Sequence, residues 1–199
     1  GCGVLGMGGL PADYTRQQIR LLRTMTSRPF GVNILLPLLQ PGQIEACLDE
    51  KIPFLVLFWG DPKPYIKEAH RRGVKVFIQA GSVTEARAAA DAGVDAIIAQ
   101  GVEAGGHVKS TTSLSTIVPS IVAAVKPVPV IAAGGIATGQ GVVSALALGA
   151  EGVSIGTRFL CSNEAVAAQA YKQRVAHSRA EDTVYTLLFD VGWPNAAHR

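Results

Sequence analysis

Two glycine-bearing turns carry the clearest chemical signal in this chain. Residues 130–140, VIAAGGIATGQ, read as a buried strand running into Gly134 and Gly135 and then into a helix. Glycines there remove Cβ atoms where a backbone must approach something closely, and the following helix start offers unpaired N–H groups to an anion. One strand later, SIGTRF at residues 154–159 ends another strand with Gly156 and the hydroxyl of Thr157. Two such turns on what would be the last two strands make a phosphate site of the kind found in (β/α)8 proteins. The plainer alternative is that each glycine only relieves a tight turn.

The four histidines are unequal. His70, in EAHRRG, sits near a helix C-terminus, where the dipole favours a cation. His177 and His198 fall in a polar tail and are expected to be exposed. His107 follows two glycines in a long loop after a strand, and an imidazole there has the intrinsic pKa to move protons near neutrality. Gln79 and Gln100 end strands, where an amide can hydrogen-bond a planar heteroaromatic ligand or local backbone, the latter being the preferred reading for Gln79. Asn33 interrupts the apolar run GVNILL, so it must find partners, in a ligand or in nearby backbone. For Glu103, a general base, a loop anchor and a solvated carboxylate all stay open. Lys109 and Arg158 can add positive charge near the phosphate turns or lie on the surface. No metal-ligand cluster and no Gly-x-Ser-x-Gly elbow is apparent.

The elements that must position these residues repeat. Short apolar runs recur at residues 31–35, 54–59, 74–79, 96–100, 128–133 and 152–155. Most lie about 20 to 25 residues apart, the length of a strand, a turn and a helix. The runs are nearly continuous rather than alternating, as in parallel strands covered on both faces. Helical patterns fill the gaps at 41–51, 64–72, 82–92 and 138–148, with Gly73, Gly93 and Gly149 as stop signals. A glycine-rich seventh strand is expected near residues 3–6. Gly1, Gly3 and Gly6 have dinucleotide-turn spacing, but no apolar strand precedes them. A closed (β/α)8 barrel lacking one strand is therefore preferred to an open doubly wound sheet. The longest connection, beginning GVEAGGHVKSTTS after Gln100, lies at a strand's carboxyl end, where barrels keep their chemistry.

Composition narrows the function classes. The 199 residues are 48% hydrophobic and 17% charged, enough for one sizeable core and short for two domains. Eighteen basic against fifteen acidic residues give +3 with no long run of either sign, so nucleic acid is not indicated as a partner. The apolar stretches fall far below the roughly 18 residues a spanning helix needs, so no membrane is expected, and residues 1–10 show no signal-peptide pattern. Three widely spaced cysteines without a CxxC fit a reducing, cytoplasmic setting.

Four phrases together resemble the nitronate monooxygenase family, formerly called 2-nitropropane dioxygenases. They are AQGVEAGGH at 99–107, PVIAAGGIATGQGV at 129–142, VSIGTRFLCSNE at 153–164 and GVNILLP at 31–37. The resemblance implies an FMN-dependent (β/α)8 TIM barrel that oxidises alkyl nitronates or nitroalkanes with molecular oxygen. It implies that His107 is the catalytic base. It also implies that Asn33, Gln100, Gly105, Gly135, Ser154, Ile155, Gly156 and Thr157 contact FMN, with Gly135 and the last four nearest its phosphate. The chain departs from the family in starting at what resembles its second strand, in stopping at GWPNAAHR, and in carrying Lys109 where a small residue is common. The expectation is thus one FMN-binding barrel domain over residues 1–199, lacking the first strand and the C-terminal region. Exposed strand edges would make it a fragment or a short form that pairs with another copy as a homo-oligomer. Two alternatives remain: an NAD(P)H-dependent FMN reductase of quinones or enoyl thioesters, and a non-catalytic phosphate-ligand binder.

Overall fold

The computed structural model describes residues 1–191, 193 and 196–199. The chain divides into two compact units, one of Gly1–Ala80, Thr84–Ile97 and Val125–Pro129, the other of Gly81–Val83, Ile98–Ala124 and Val130–Arg199.

The first unit alternates strand and helix: β1 (Gly3–Gly6), α1 (Ala12–Met25), β2 (Phe30–Leu35), α2 (Gln43–Asp49), β3 (Phe54–Phe58), α3 (Lys63–Arg71), β4 (Lys75–Ala80) and α4 (Val83–Ala92), leading into β5 (Ala96–Gln100). Its strands lie in the order β1-β2-β3-β4-β5, and β1 to β4 pair in parallel. The register aligns Leu5, Val32, Leu55 and Val76 in one row, and Ile34, Leu57 and Ile78 in another. Val32, Ile34, Leu55, Leu57 and Val76 are wholly buried, which is why these strands read as continuous apolar runs. Gly31 is opposite Phe54, and a Cβ at Gly31 would stand 2.2 Å from the Phe54 ring. That ring stacks in turn on Phe77 at 4.9 Å.

Polar groups in this unit are spent on its own construction. Gln43 is fully buried and donates through Nε2 to the Met7 carbonyl at 2.6 Å. Asn33 donates through Nδ2 to the Val56 carbonyl of the neighbouring strand at 3.2 Å. His70 lies 2.8 Å from Asp95, whose same oxygen accepts the Val76 N–H, so this histidine ties the end of α3 to the start of β5.

The second unit holds the rest of β5, then β6 (His107–Val108), α5 (Leu114–Val125), β7 (Val130–Ala133), α6 (Gly139–Ala147), β8 (Gly152–Ser154), α7 (Thr157–Leu160), α8 (Gln169–His177) and β9 (Ala197–His198). Its strand order is β5-β7-β8, with β6 and β9 forming a separate antiparallel ribbon. Thr138 caps α6 by accepting the Gly141 N–H on its hydroxyl, as a threonine does at that position. Among the described residues, no helix is long and apolar enough to cross a membrane.

Candidate functional site

The second unit brings most of the expected site residues together. Ala133 pairs with Ser154 at the ends of β7 and β8. The turn of Gly134 and Gly135 and the turn of Ile155 and Gly156 therefore leave neighbouring strands at one level. The turns differ in what surrounds them. A Cβ at Gly134, where φ is +121°, would lie 3.0 Å from the Ala104 nitrogen and 3.2 Å from the Gly101 oxygen. A Cβ at Gly135 would meet the Glu103 side chain at 3.1 Å. What approaches β7 so closely is thus the loop after β5. A Cβ at Gly156 or Gly139 would meet nothing within 4 Å, so space is open beside the β8 turn and at the start of α6. The Gly139 and Gln140 N–H groups lie in the first helical turn, where no intrahelical acceptor exists. Open space beside such donors fits a phosphate ester.

The loop after β5 is a built structure. Gln100, 2% exposed, donates through Nε2 to the His107 carbonyl at 3.0 Å and accepts the Lys109 N–H on Oε1 at 2.9 Å. Both ends of its amide are engaged in holding the loop. The Glu103 carboxylate accepts the Leu114 N–H at 2.9 and 3.1 Å, anchoring the loop to the start of α5. Of the three roles open for Glu103, the geometry selects the anchor. Gly105 lacks the Cβ that would otherwise stand 2.5 Å from Thr157 Oγ1, so the histidine-bearing loop touches the turn after β8 directly.

His107 meets groups that its sequence neighbourhood does not announce. Its ring stacks on Trp193, with centroids 4.0 Å apart and planes 24° from parallel. His198 lies edge-on at 5.1 Å, and His107 Nε2 is 3.3 Å from the Phe189 carbonyl. The ribbon places His107 across from His198, and Gly106 and Arg199 exchange both backbone hydrogen bonds at 2.9 Å. The expectation of an exposed His198 is thereby corrected, because the ribbon half-buries it. Burial first, and the nearby His107 second, lower its pKa below the ordinary 6.5. Sequence reasoning missed Trp193 and His198. The cue was a tryptophan in the C-terminal segment, 4% exposed in the structure where the large apolar residues just before it are exposed.

Asn33 lies in the first unit, with its amide on Val56, and is described only there. His177 is exposed and its Nδ1 lies 2.7 Å from the Gln173 carbonyl one turn back. Among the described residues, no group of three or more histidine, cysteine, aspartate or glutamate side chains could hold a metal ion.

Comparison with known proteins supplies the family. The model of the nitronate monooxygenase family matches residues 40–194. A probable nitronate monooxygenase of Staphylococcus saprophyticus is 33% identical, the match covering 94% of this chain and 65% of the relative. One from Staphylococcus aureus is also 33% identical, covering 95% and 66%. The chain thus spans about two thirds of the length of these relatives. Among solved structures, FabK from Thermotoga maritima superposes with a TM-score of 0.88 at 40% identity, over 94% of this chain and 60% of that one. A nitroalkane oxidase from Streptomyces ansochromogenes gives 0.81 at 31% identity, over 87% and 62%. The fold is accordingly part of a (β/α)8 barrel, and the family's members are generally FMN-dependent oxidoreductases. On the family match and on identities of this size over nearly the whole chain, the protein belongs to the nitronate monooxygenase family.

Proposed function

We propose that this protein oxidises alkyl nitronates with molecular oxygen at a bound FMN, and that His107 is the base. The observation that carries the reading is the meeting of three segments within one unit. The turns after β7 and β8 leave adjacent strands in register, and Gly105 brings the loop of His107 against Thr157. An anion cradle and an imidazole on one contiguous surface are the parts such chemistry requires.

In this reading Gly135, Ser154, Ile155, Gly156 and Thr157 hold the phosphate, with the open α6 start contributing N–H donors. Gly105 keeps the loop close, and Gln100 keeps it shaped. Gln100 is proposed to line the flavin through the loop backbone that its amide holds. When bound, FMN supplies the electron-accepting chemistry; the chain's own residues bind, orient and move the proton. For a neutral nitroalkane, His107 would take the proton from the carbon bearing the nitro group. For a nitronate already formed, the imidazole would orient the anion.

A second reading, NAD(P)H-dependent reduction of quinones or enoyl thioesters at the same flavin, draws on the 40% identity to FabK, higher than that to the nitronate monooxygenases or the nitroalkane oxidase. Oxygen uptake with ethyl nitronate, set against NADH oxidation with a quinone or an enoyl thioester, separates the two. With neutral nitroethane as substrate, His107→Ala is expected to keep flavin absorption while turnover drops roughly 100- to 10,000-fold, the usual contribution of a positioned base. Unchanged turnover in that variant removes His107 from the reaction. Protein that stays colourless after reconstitution with FMN sinks both flavin readings.

A further inference from the structure

The ring of His107 is held from three sides by a segment more than eighty positions along the chain, and the way it is held selects one of its nitrogens. A carbonyl oxygen accepts and never donates, so the Phe189 oxygen 3.3 Å from Nε2 requires the proton on Nε2. The lone pair then belongs to Nδ1. That choice lasts only while the ring keeps its plane, since rotation about the side-chain torsions would carry Nε2 off the carbonyl. The plane is set by Trp193, stacked face to face at 4.0 Å. Trp193 is itself 4% exposed, so packing restrains its ring, and its backbone N–H donates to the Asp190 carbonyl at 2.8 Å, which holds the turn that carries it. His198, edge-on at 5.1 Å and locked by paired hydrogen bonds to Thr186, closes a further side.

Resting on the reading of His107 as the proton-handling group, we infer that Trp193 is its positioning residue, holding the imidazole as the Nε2–H tautomer so that Nδ1 is the atom that accepts the substrate proton. Trp193 acts through His107 and need not touch substrate. His107 is the group that meets the carbon acid. A base whose ring wanders loses alignment with the C–H bond, which lowers the chemical step far more than binding.

The test has a spectroscopic arm and a kinetic arm. In uniformly 15N-labelled protein, long-range 1H–15N correlations of the imidazole rings, with His107 assigned by its disappearance in His107→Ala, should show the Nε2–H form. Trp193→Ala should give an exchange-averaged His107 pattern, and Trp193→Phe should restore the single form. With neutral nitroethane, Trp193→Ala should lower kcat roughly 10- to 100-fold with KM within about twofold, and Trp193→Phe should recover most of it. With preformed ethyl nitronate, which has no proton to give up, the loss should be much smaller. A variant that had merely lost its tail structure would impair both substrates alike and raise KM, and Trp193→Phe guards against that outcome. An Nδ1–H or averaged ring in the wild-type protein overturns the inference, as does a Trp193→Ala ring spectrum identical to wild type. Expected ring spectra combined with undiminished turnover by His107→Ala would refute the assignment of the base and leave the ring geometry standing.

Discussion

Replacing Gly134 by alanine separates a glycine required by packing from one that leaves room for a ligand. At Gly134 the backbone has φ +121°, a conformation that costs a residue with a side chain about 1–3 kcal/mol. The new methyl would also sit 3.0 Å from the Ala104 nitrogen, 3.2 Å from the Gly101 oxygen and 3.3 Å from the Ala104 Cα. All three are main-chain atoms, which cannot swing aside like the end of a side chain, and such overpacking costs a further 1–3 kcal/mol or so. The smaller entropy of the unfolded alanine chain returns about 0.4–1 kcal/mol. The net loss is then roughly 1–6 kcal/mol and centred near 3, and that central value lowers Tm by about 6–12 °C for a chain of this size. Gly156→Ala is the control, because its methyl would meet nothing within 4 Å and its φ of −110° suits any residue. Its Tm should stay within about 2 °C of wild type, while FMN binding, followed by quenching of flavin fluorescence, should weaken. The assay is thermal unfolding followed by circular dichroism, both variants being measured without added flavin. A Gly134→Ala protein that melts with the wild type would refute the claim that the loop after β5 packs against main chain at β7.

Other expectations follow from single contacts. Glu103→Ala removes both oxygens that accept the Leu114 N–H and should cost about 0.5–2 kcal/mol in urea unfolding, with Glu103→Gln losing less because one acceptor remains. Cys47 is fully buried, and burial, reinforced by Glu45, pushes its thiol from 9.0 to about 12. It should therefore resist a thiol-reactive disulfide reagent in the native state at pH 8, while the exposed Cys2 reacts. The same shift has a sign for stability. Between pH 9 and about 12 the unfolded chain releases this proton while the native state keeps it. The contribution is thus intact below pH 9 and is lost as pH rises through that window. A denaturant midpoint that climbs from pH 9 to 10.5 would contradict it.

The parallel βα repetition was legible because buried strands carry continuous apolar runs and helices stop at glycines. Ala96–Gln100 and the helix stops at Gly73 and Gly149 appear where the pattern put them. The glycines of the β7 turn were legible as a close approach, but not what approaches, because Ala104 and Glu103 reach Gly134 and Gly135 only through tertiary structure. The environment of His107 was least legible. The β6–β9 ribbon pairs only two residues on each side, too few to leave a period, and joins segments far apart in sequence. Polar composition suggested exposure for His198, whereas pairing across the ribbon decided its burial.

The hydrogen bond between His107 and Phe189 spans 82 positions, which has a consequence for biosynthesis. While the chain is still emerging from the ribosome, the strands of the first unit can begin to pair, but the imidazole has nothing to lean on until residues 189–199 arrive. Its surroundings are then among the last to be completed, since a distant contact must first meet the entropy of closing its loop.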